Sequence, residues 1–303
     1  MNRRKFIKTA ALAAAATSTL KLASTSAHAE GVNPTGVDWP IGCFNRPWVE
    51  IGWNLDVGLQ GIKDAGYNIM GLLTPFAIRG EPFIAADASP EYLARLKEKV
   101  AKHQLKAIMG AIHTKTSLSV EDSIKDVRQQ IDNAKTLDLE WLLTFGVDKP
   151  RYYDDYYKIM ADAAPYAQER GMKLVLKPHG GGSGAAEEII RCMAKVNQPN
   201  FKIWYDAGNI IYYTGKDPLE QLKPIVQHVT GFCAKDCSGE KGDVWLEFGT
   251  GKVDFPAVFG MLKSAGFNGP VMVECCKKGK TADETTAGAR RNREFLQKVF
   301  AQL

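Results

Sequence analysis

Several short segments of this chain end in side chains able to hold charge, bind a metal or move a proton. "LVLKPHGGG" (Leu174 to Gly182) runs from apolar residues into Lys177 and His179 before a glycine loop. "YDAGN" brings Asp206 and Asn209, "CAKDC" brings Cys233, Lys235 and Asp236, and "GPVMVE" closes on Glu274. Earlier in the chain, "GCFNRPW" supplies Asn45, Arg46 and Trp48, and "AIHTK" supplies His113. Each has an ordinary reading on its own. A histidine at a strand end is commonly a capped surface residue, Asp206 is a fit turn residue, and Lys235 with Asp236 would make a surface ion pair worth little. Glu274 resists that treatment, because a carboxylate ending an apolar run is costly to bury without a cation or donor. If these segments converge, they collect an imidazole, carboxylates and two ammonium groups, a set suited to a divalent metal or to acid/base chemistry.

Convergence depends on the elements that carry them. Strand-like runs read "PIGCF" from Pro40, "YNIMGLL" from Tyr67, "KAIMGAI" from Lys106, "EWLLTFG" from Glu140, "KLVLK" from Lys173, "FKIWYD" from Phe201, "VTGFCAKD" from Val229 and "PVMVECC" from Pro270. Between them lie amphipathic charged stretches such as "SPEYLARLKEKVAKH" and "SVEDSIKDVRQQIDNAKTL", with Ser or an acid near the start, as helix N-termini prefer. Apolar runs without strict alternation indicate strands buried on both faces, hence a parallel sheet. Eight strand–helix units predict α/β architecture closed as a single-domain (β/α)8 barrel, whose functional groups gather at the C-terminal strand ends. An open doubly wound sheet would show a glycine-rich phosphate loop after its first strand, and "GCFNRPW" is not one.

The first 29 residues read differently. "NRRKFIK" sets Arg3-Arg4 ahead of an apolar run, and "AHA" (Ala27 to Ala29) offers a small-residue cleavage site. This is the layout of a twin-arginine-type export signal, which predicts a periplasmic or otherwise exported barrel over residues 30–303. The run is rich in Ala and Thr and interrupted by Lys21, so it makes a poor membrane span, and no membrane association is expected once it is removed. The formal charge of +5 comes from 39 basic and 34 acidic residues. Arg3, Arg4, Lys5, Lys8 and Lys21 all lie in the leader, which has no acid, so the remainder balances at 34 basic against 34 acidic. No basic excess is left to grip a nucleic acid backbone. The six cysteines include no CxxC pair, which argues against a zinc ribbon.

At the strand ends the chain resembles the xylose isomerase-like TIM barrel superfamily, with its sugar phosphate isomerase/epimerase and inosose dehydratase relatives. The resemblance covers nearly the whole chain after the leader. It is strongest in "KDCSGEKGDVWLEFGTGKVDFPAVFGMLKSAGFNGPVMVE", which has the family's Lys-Asp, Gly-x-Gly-x-x-Asp and closing Glu, while "PHGGG" is similar to the dehydratase branch. The resemblance implies one Mn²⁺, Mg²⁺ or similar divalent ion (Zn²⁺ among them) held by Glu, Asp, His and Glu from the fifth to eighth strands. Two of those positions match, at Asp206 and Glu274. The first Glu falls on Lys177, the His falls on Cys233, and Asn209 stands at the family's second sixth-strand residue, often His. Two arrangements follow: His179 swings in to form a His179–Asp206–Glu274 metal site, or no metal binds and Lys177 supplies the positive charge.

The function expected on this basis is that of an exported enzyme acting next to a carbonyl of a sugar or keto-sugar, as isomerase, epimerase or lyase/hydratase. A base removes a proton α to the carbonyl and an electrophile stabilises the enediolate. Lys177, Lys235 and Glu274 are the expected catalytic residues, Glu274 as metal ligand or base and the two lysines as electrophiles or general acids. In the arrangement without a metal, the Lys177 pKa is expected to be lowered enough for base or Schiff-base chemistry. Arg46, Trp48, His113, Asn209 and Asp236 are expected to contact the small-molecule carbohydrate. The alternative is a non-catalytic sugar-binding barrel that has lost part of its metal site.

Overall fold

The computed structural model describes residues 36–49, 52–73 and 81–303. The export-signal expectation on residues 1–29 lies outside them. Eight parallel strands close into a barrel in chain order: β1 (Ile41–Phe44), β2 (Ile69–Leu72), β3 (Lys106–Ala111), β4 (Trp141–Thr144), β5 (Lys173–Leu176), β6 (Phe201–Tyr205), β7 (Val229–Ala234) and β8 (Val271–Val273). Closure is made by β1 against β8, with Ile41, Gly42 and Cys43 opposite Val271, Met272 and Val273. Every expected apolar run contains its strand, so the (β/α)8 reading holds.

Helices α1 (Arg46–Val49), α2 (Leu55–Asp64), α3 (Pro90–Lys102), α4 (Val120–Thr136) and α5 (Tyr153–Glu169) accompany the first half of the barrel. The second half carries α6 (Ala186–Val196), α7 (Ala207–Thr214), α8 (Pro218–Leu222), α9 (Phe255–Ser264) and α10 (Ala282–Gln302). Their starts follow local chemistry. Ser89 accepts from the Tyr92 amide with Pro90 at the first helical position, and Ser119 accepts from the Asp122 amide ahead of Glu121 and Asp122. Such caps satisfy orphan amide donors, and the acids oppose the positive end of the helix dipole.

The strands are buried because helices cover their outer face and large side chains fill the interior. Room for the rings comes from glycines on neighbouring strands. A Cβ at Gly71 would fall 2.3 Å from the Phe44 ring, and one at Gly231 would fall 2.6 Å from the Trp204 ring. Ahead of β1, Trp39 packs edge-on to Phe259 of α9, Phe267 and Phe300 of α10. The interior is filled, which leaves the C-terminal mouth as the place for chemistry.

Candidate active site

Lys177, Asp206, Lys235 and Glu274 each stand one residue beyond the end of β5, β6, β7 and β8. Adjacent strands in similar register therefore deliver four charged side chains to one spot, all buried. The Lys177 ammonium contacts Glu274 Oε2 directly and lies 3.2 Å from Asp206 Oδ2. Lys235 Nζ is 2.9 Å from Glu274 Oε1 and 3.4 Å from Asp206 Oδ2. Arg46 reaches across from the end of β1 and donates from Nη1 to Glu274 Oε1 at 2.5 Å. Glu274 thus meets three cationic groups.

The two carboxylates respond differently. Burial pushes the Glu274 carboxyl up, but Lys177, Lys235 and Arg46 together outweigh it and hold the group well below the usual carboxylate range. Burial dominates at Asp206, whose pKa is raised despite Lys235 and Lys177. Its Oδ1 accepts from the Asn209 amide at 2.8 Å and caps α7. Its Oδ2 lies within ion-pair distance of both ammoniums yet makes no directed hydrogen bond. The ion pairs hold this oxygen, since charge attraction is far less sensitive to angle than hydrogen bonding.

Lys177 differs from expectation. Burial would push its ammonium down, and that is the largest single effect, but Glu274 and Asp206 together raise its pKa above the ordinary lysine value. The side chain is fully buried and does not line the mouth cavity. A lysine held charged between two carboxylates is unsuited to act as a base or to form a Schiff base.

The implied divalent metal can be tested against these groups. Among the described residues, Asp206, Cys233 and Glu274 bring potential ligand atoms within 4.8 Å of one another. His179 is not in that group, so the expected His179–Asp206–Glu274 set is not assembled. Its ring instead packs against Phe145 and Tyr213, with the Tyr213 hydroxyl 3.0 Å from Nε2. Burial, followed by Lys177 and Lys235, pushes the imidazole down to about 3 and keeps it neutral. The Cys233 thiol is pushed well up by burial, away from the thiolate that binds metals. The Lys177 ammonium already contacts both carboxylates, where a cation would have to sit. These residues as they stand do not fit a divalent ion.

Two cavities meet at this cluster. The larger, about 640 Å³, is lined by Arg46, His113, Thr144, Phe145, His179 and Glu274 with neighbouring loop residues. The smaller, about 290 Å³, is lined by Lys235, Asn209, Tyr212, Tyr213 and Trp245, and shares Arg46 and His179 with the first. The larger volume lies in the ordinary range of small-molecule sites. Of the expected contact residues, Arg46, His113 and Asn209 therefore face a cavity, although the Asn209 side chain also donates from Nδ2 to Pro178 O at 2.6 Å.

Trp48 and Asp236 do not reach either cavity. The four-residue α1 turns Trp48 into the core beside Gly61, with Nε1 donating to Thr286 Oγ1 at 3.2 Å. Asp236 accepts four backbone amides: Cys237 and Val253 on Oδ1, Gly249 and Gly251 on Oδ2, at 2.8 to 3.1 Å. It ties down the loop that follows β7. Sequence reasoning missed Phe145 and Trp245. Phe145 follows β4 directly and was discoverable as a strand-end residue, whereas Trp245 lies within a long loop and carried no such signal.

A closed barrel of eight parallel strands with its polar cluster at the C-terminal mouth places this protein among the TIM barrels. The chain belongs to the xylose isomerase-like TIM barrel family, whose description it matches over residues 59–299. It is similar to an inosose dehydratase of Geobacillus thermodenitrificans, 27% identical over 147 residues, covering 42% of this chain and 49% of that protein. The chain spans about half the length of the curated relatives it matches. A xylose isomerase-like TIM barrel protein from Mycobacterium smegmatis, in complex with magnesium, superposes with a TM-score of 0.69 at 15% identity, over 87% of this chain and 97% of that one. D-allulose 3-epimerase from Methylomonas sp. superposes with a TM-score of 0.65 at 18% identity, over 86% and 98%. At these identities the structural likeness speaks to the fold alone.

Proposed function

We propose that this protein is a carbohydrate-processing enzyme of the isomerase, epimerase or lyase kind, exported by its Arg3-Arg4 leader, in which buried ammonium groups supply the charge that an ion supplies in relatives. The observation that carries the reading is the Lys177 ammonium lodged between Asp206 and Glu274 beneath a sugar-sized cavity. Glu274 lines that cavity and is the group placed to take a proton from the carbon next to a substrate carbonyl.

The neighbours of Glu274 make the transfer electrostatically balanced. When Glu274 accepts the proton its negative charge disappears, and an equal charge develops on the carbonyl oxygen as the enediolate forms. Arg46 and Lys235, which neutralise the carboxylate at rest, then face that oxygen. Lys177 stays below as a fixed positive charge. Return of the proton to the opposite face gives an epimer, and return to the adjacent carbon gives an isomer. Transfer of that proton to a β-hydroxyl, which leaves as water while the enediolate collapses to the α,β-unsaturated carbonyl, completes an elimination. The inosose dehydratase similarity supports the last outcome, and the epimerase likeness is compatible with the first.

Solvent-deuterium exchange tests this directly. Incubation in D₂O with a panel of ketoses and inososes after dialysis against a chelator is expected to label the α-carbon of at least one, read by NMR. Glu274→Gln, which is isosteric, is expected to abolish the labelling while keeping the thermal transition. A second reading, a sugar-binding barrel without catalysis, is favoured by the compensation of both Glu274 oxygens. Sugar binding with no exchange across the panel would establish it.

A further inference from the structure

We propose that the 290 Å³ lobe beside the cluster is a subsite for a second sugar ring, so that the substrate is a keto-sugar joined to another sugar rather than a free monosaccharide; this rests on the carbohydrate reading above. At about 30 Å³ per water the lobe has room for roughly ten water molecules, far more than one substituent such as a hydroxyl would fill. The 640 Å³ cavity alone can take a sugar ring. Both open onto Arg46 and His179, while Glu274 lines the larger and Lys235 the smaller. The reacting groups therefore sit at the junction of two compartments, where a bond between two rings would cross.

The walls of the small lobe suit a sugar. Tyr212 and Tyr213 stand edge-to-face at 4.9 Å and 81°, and Trp245 faces the lobe from the loop after β7. Cations hold these rings in place. Lys241 Nζ lies 5.0 and 4.6 Å from the two tyrosine centroids, and Lys278 Nζ lies 3.9 Å from that of Trp245, with Arg46 at 5.1 Å. Aromatic walls with a few polar groups match the apolar C–H face and hydroxyl rim of a pyranose, and fixed rings lose little entropy on binding.

Calorimetry with D-fructose and with lactulose, a ketose carrying a second sugar, tests the subsite. Lactulose is expected to bind at least about tenfold more tightly to the wild type, a difference of about 1.4 kcal/mol. Trp245→Leu, which removes a wall, and Val244→Trp, which narrows the lobe, are each expected to bring the two affinities within about twofold. The two variants act in opposite senses, so a folding defect in one leaves the other decisive. Equal affinities in the wild type, no binding of either sugar, or a preference that survives both variants would overturn the proposal. Because affinity is read rather than turnover, preferential lactulose binding without deuterium exchange refutes only the catalytic reading. Exchange on fructose without any lactulose preference refutes only the subsite.

Discussion

Replacing Lys177 by Met removes a charge while nearly preserving length and volume, so little of the effect will come from a cavity. Breaking a buried ion pair by removing one partner costs about 3–5 kcal/mol. Lys235 remains 2.9 Å from Glu274 and 3.4 Å from Asp206, which points to the lower end, about 3 kcal/mol at neutral pH. The pH dependence follows from the shifts. Glu274 is held below its ordinary 4.5 in the folded state, so its contribution is present above about pH 4.5 and is lost as pH falls through the folded value. Lys177 is held above its ordinary 10.5, so its contribution is present below about pH 10.5 and is lost as pH rises through the folded value. The stability deficit of Lys177→Met is therefore greatest between about pH 4.5 and 10.5 and shrinks outside it. Urea denaturation of both proteins across this range measures it, and deuterium exchange is expected to fall at least about a hundredfold. Equal stability at pH 7, or a deficit that persists unchanged in acid, would refute the charge-holding role. Lys177→Glu supplies the converse arm: it is expected to abolish exchange yet gain Mn²⁺ that survives dialysis, measured as metal content.

Asp236→Asn keeps the shape but halves the acceptor capacity facing four amides, and is expected to destabilise by about 2–3 kcal/mol and to speed hydrogen exchange at Gly249 and Gly251. His179, held to about 3, should remain neutral by NMR titration from about pH 5 to 8. Because the unfolded imidazole takes its proton near pH 6.5, stability is expected to decline as pH falls below that value, and His179→Gln should remove this component. Arg3-Arg4→Lys-Lys is expected to trap the precursor inside the cell, and N-terminal sequencing of the exported protein should begin near Glu30; an intact Met1 on the functional form would refute the leader.

The barrel was legible because each strand is an apolar run that must be buried on both faces, and because each run breaks at a polar residue. Lys177, Asp206, Lys235 and Glu274 could be found for the same reason, being the first residues past those runs. What the pattern could not convey was direction. Successive residues in extended chain point to opposite sides, so Lys235 enters the cluster while its neighbour Asp236 turns to the loop amides. Trp48 looked like a pocket residue by position, but a single helical turn rotates it into the core. The Lys177 pKa runs opposite to the sequence expectation because burial is visible in the sequence while the simultaneous approach of two carboxylates from other strands is not.

The four buried charges also bear on how the barrel is completed. β8 is the last strand to be made, and it both pairs with β1 and brings Glu274. Without Glu274, closing the mouth would bury Lys177 and Lys235 with Asp206 alone, two ammonium groups sharing one carboxylate. Desolvating unmatched charge is expensive, so partly built barrels are penalised at the very place where the finished one is sealed. The cluster thus couples closure of the sheet to neutralisation of its mouth, favouring all-or-none assembly over the piecewise accretion that eight repeated units would otherwise permit.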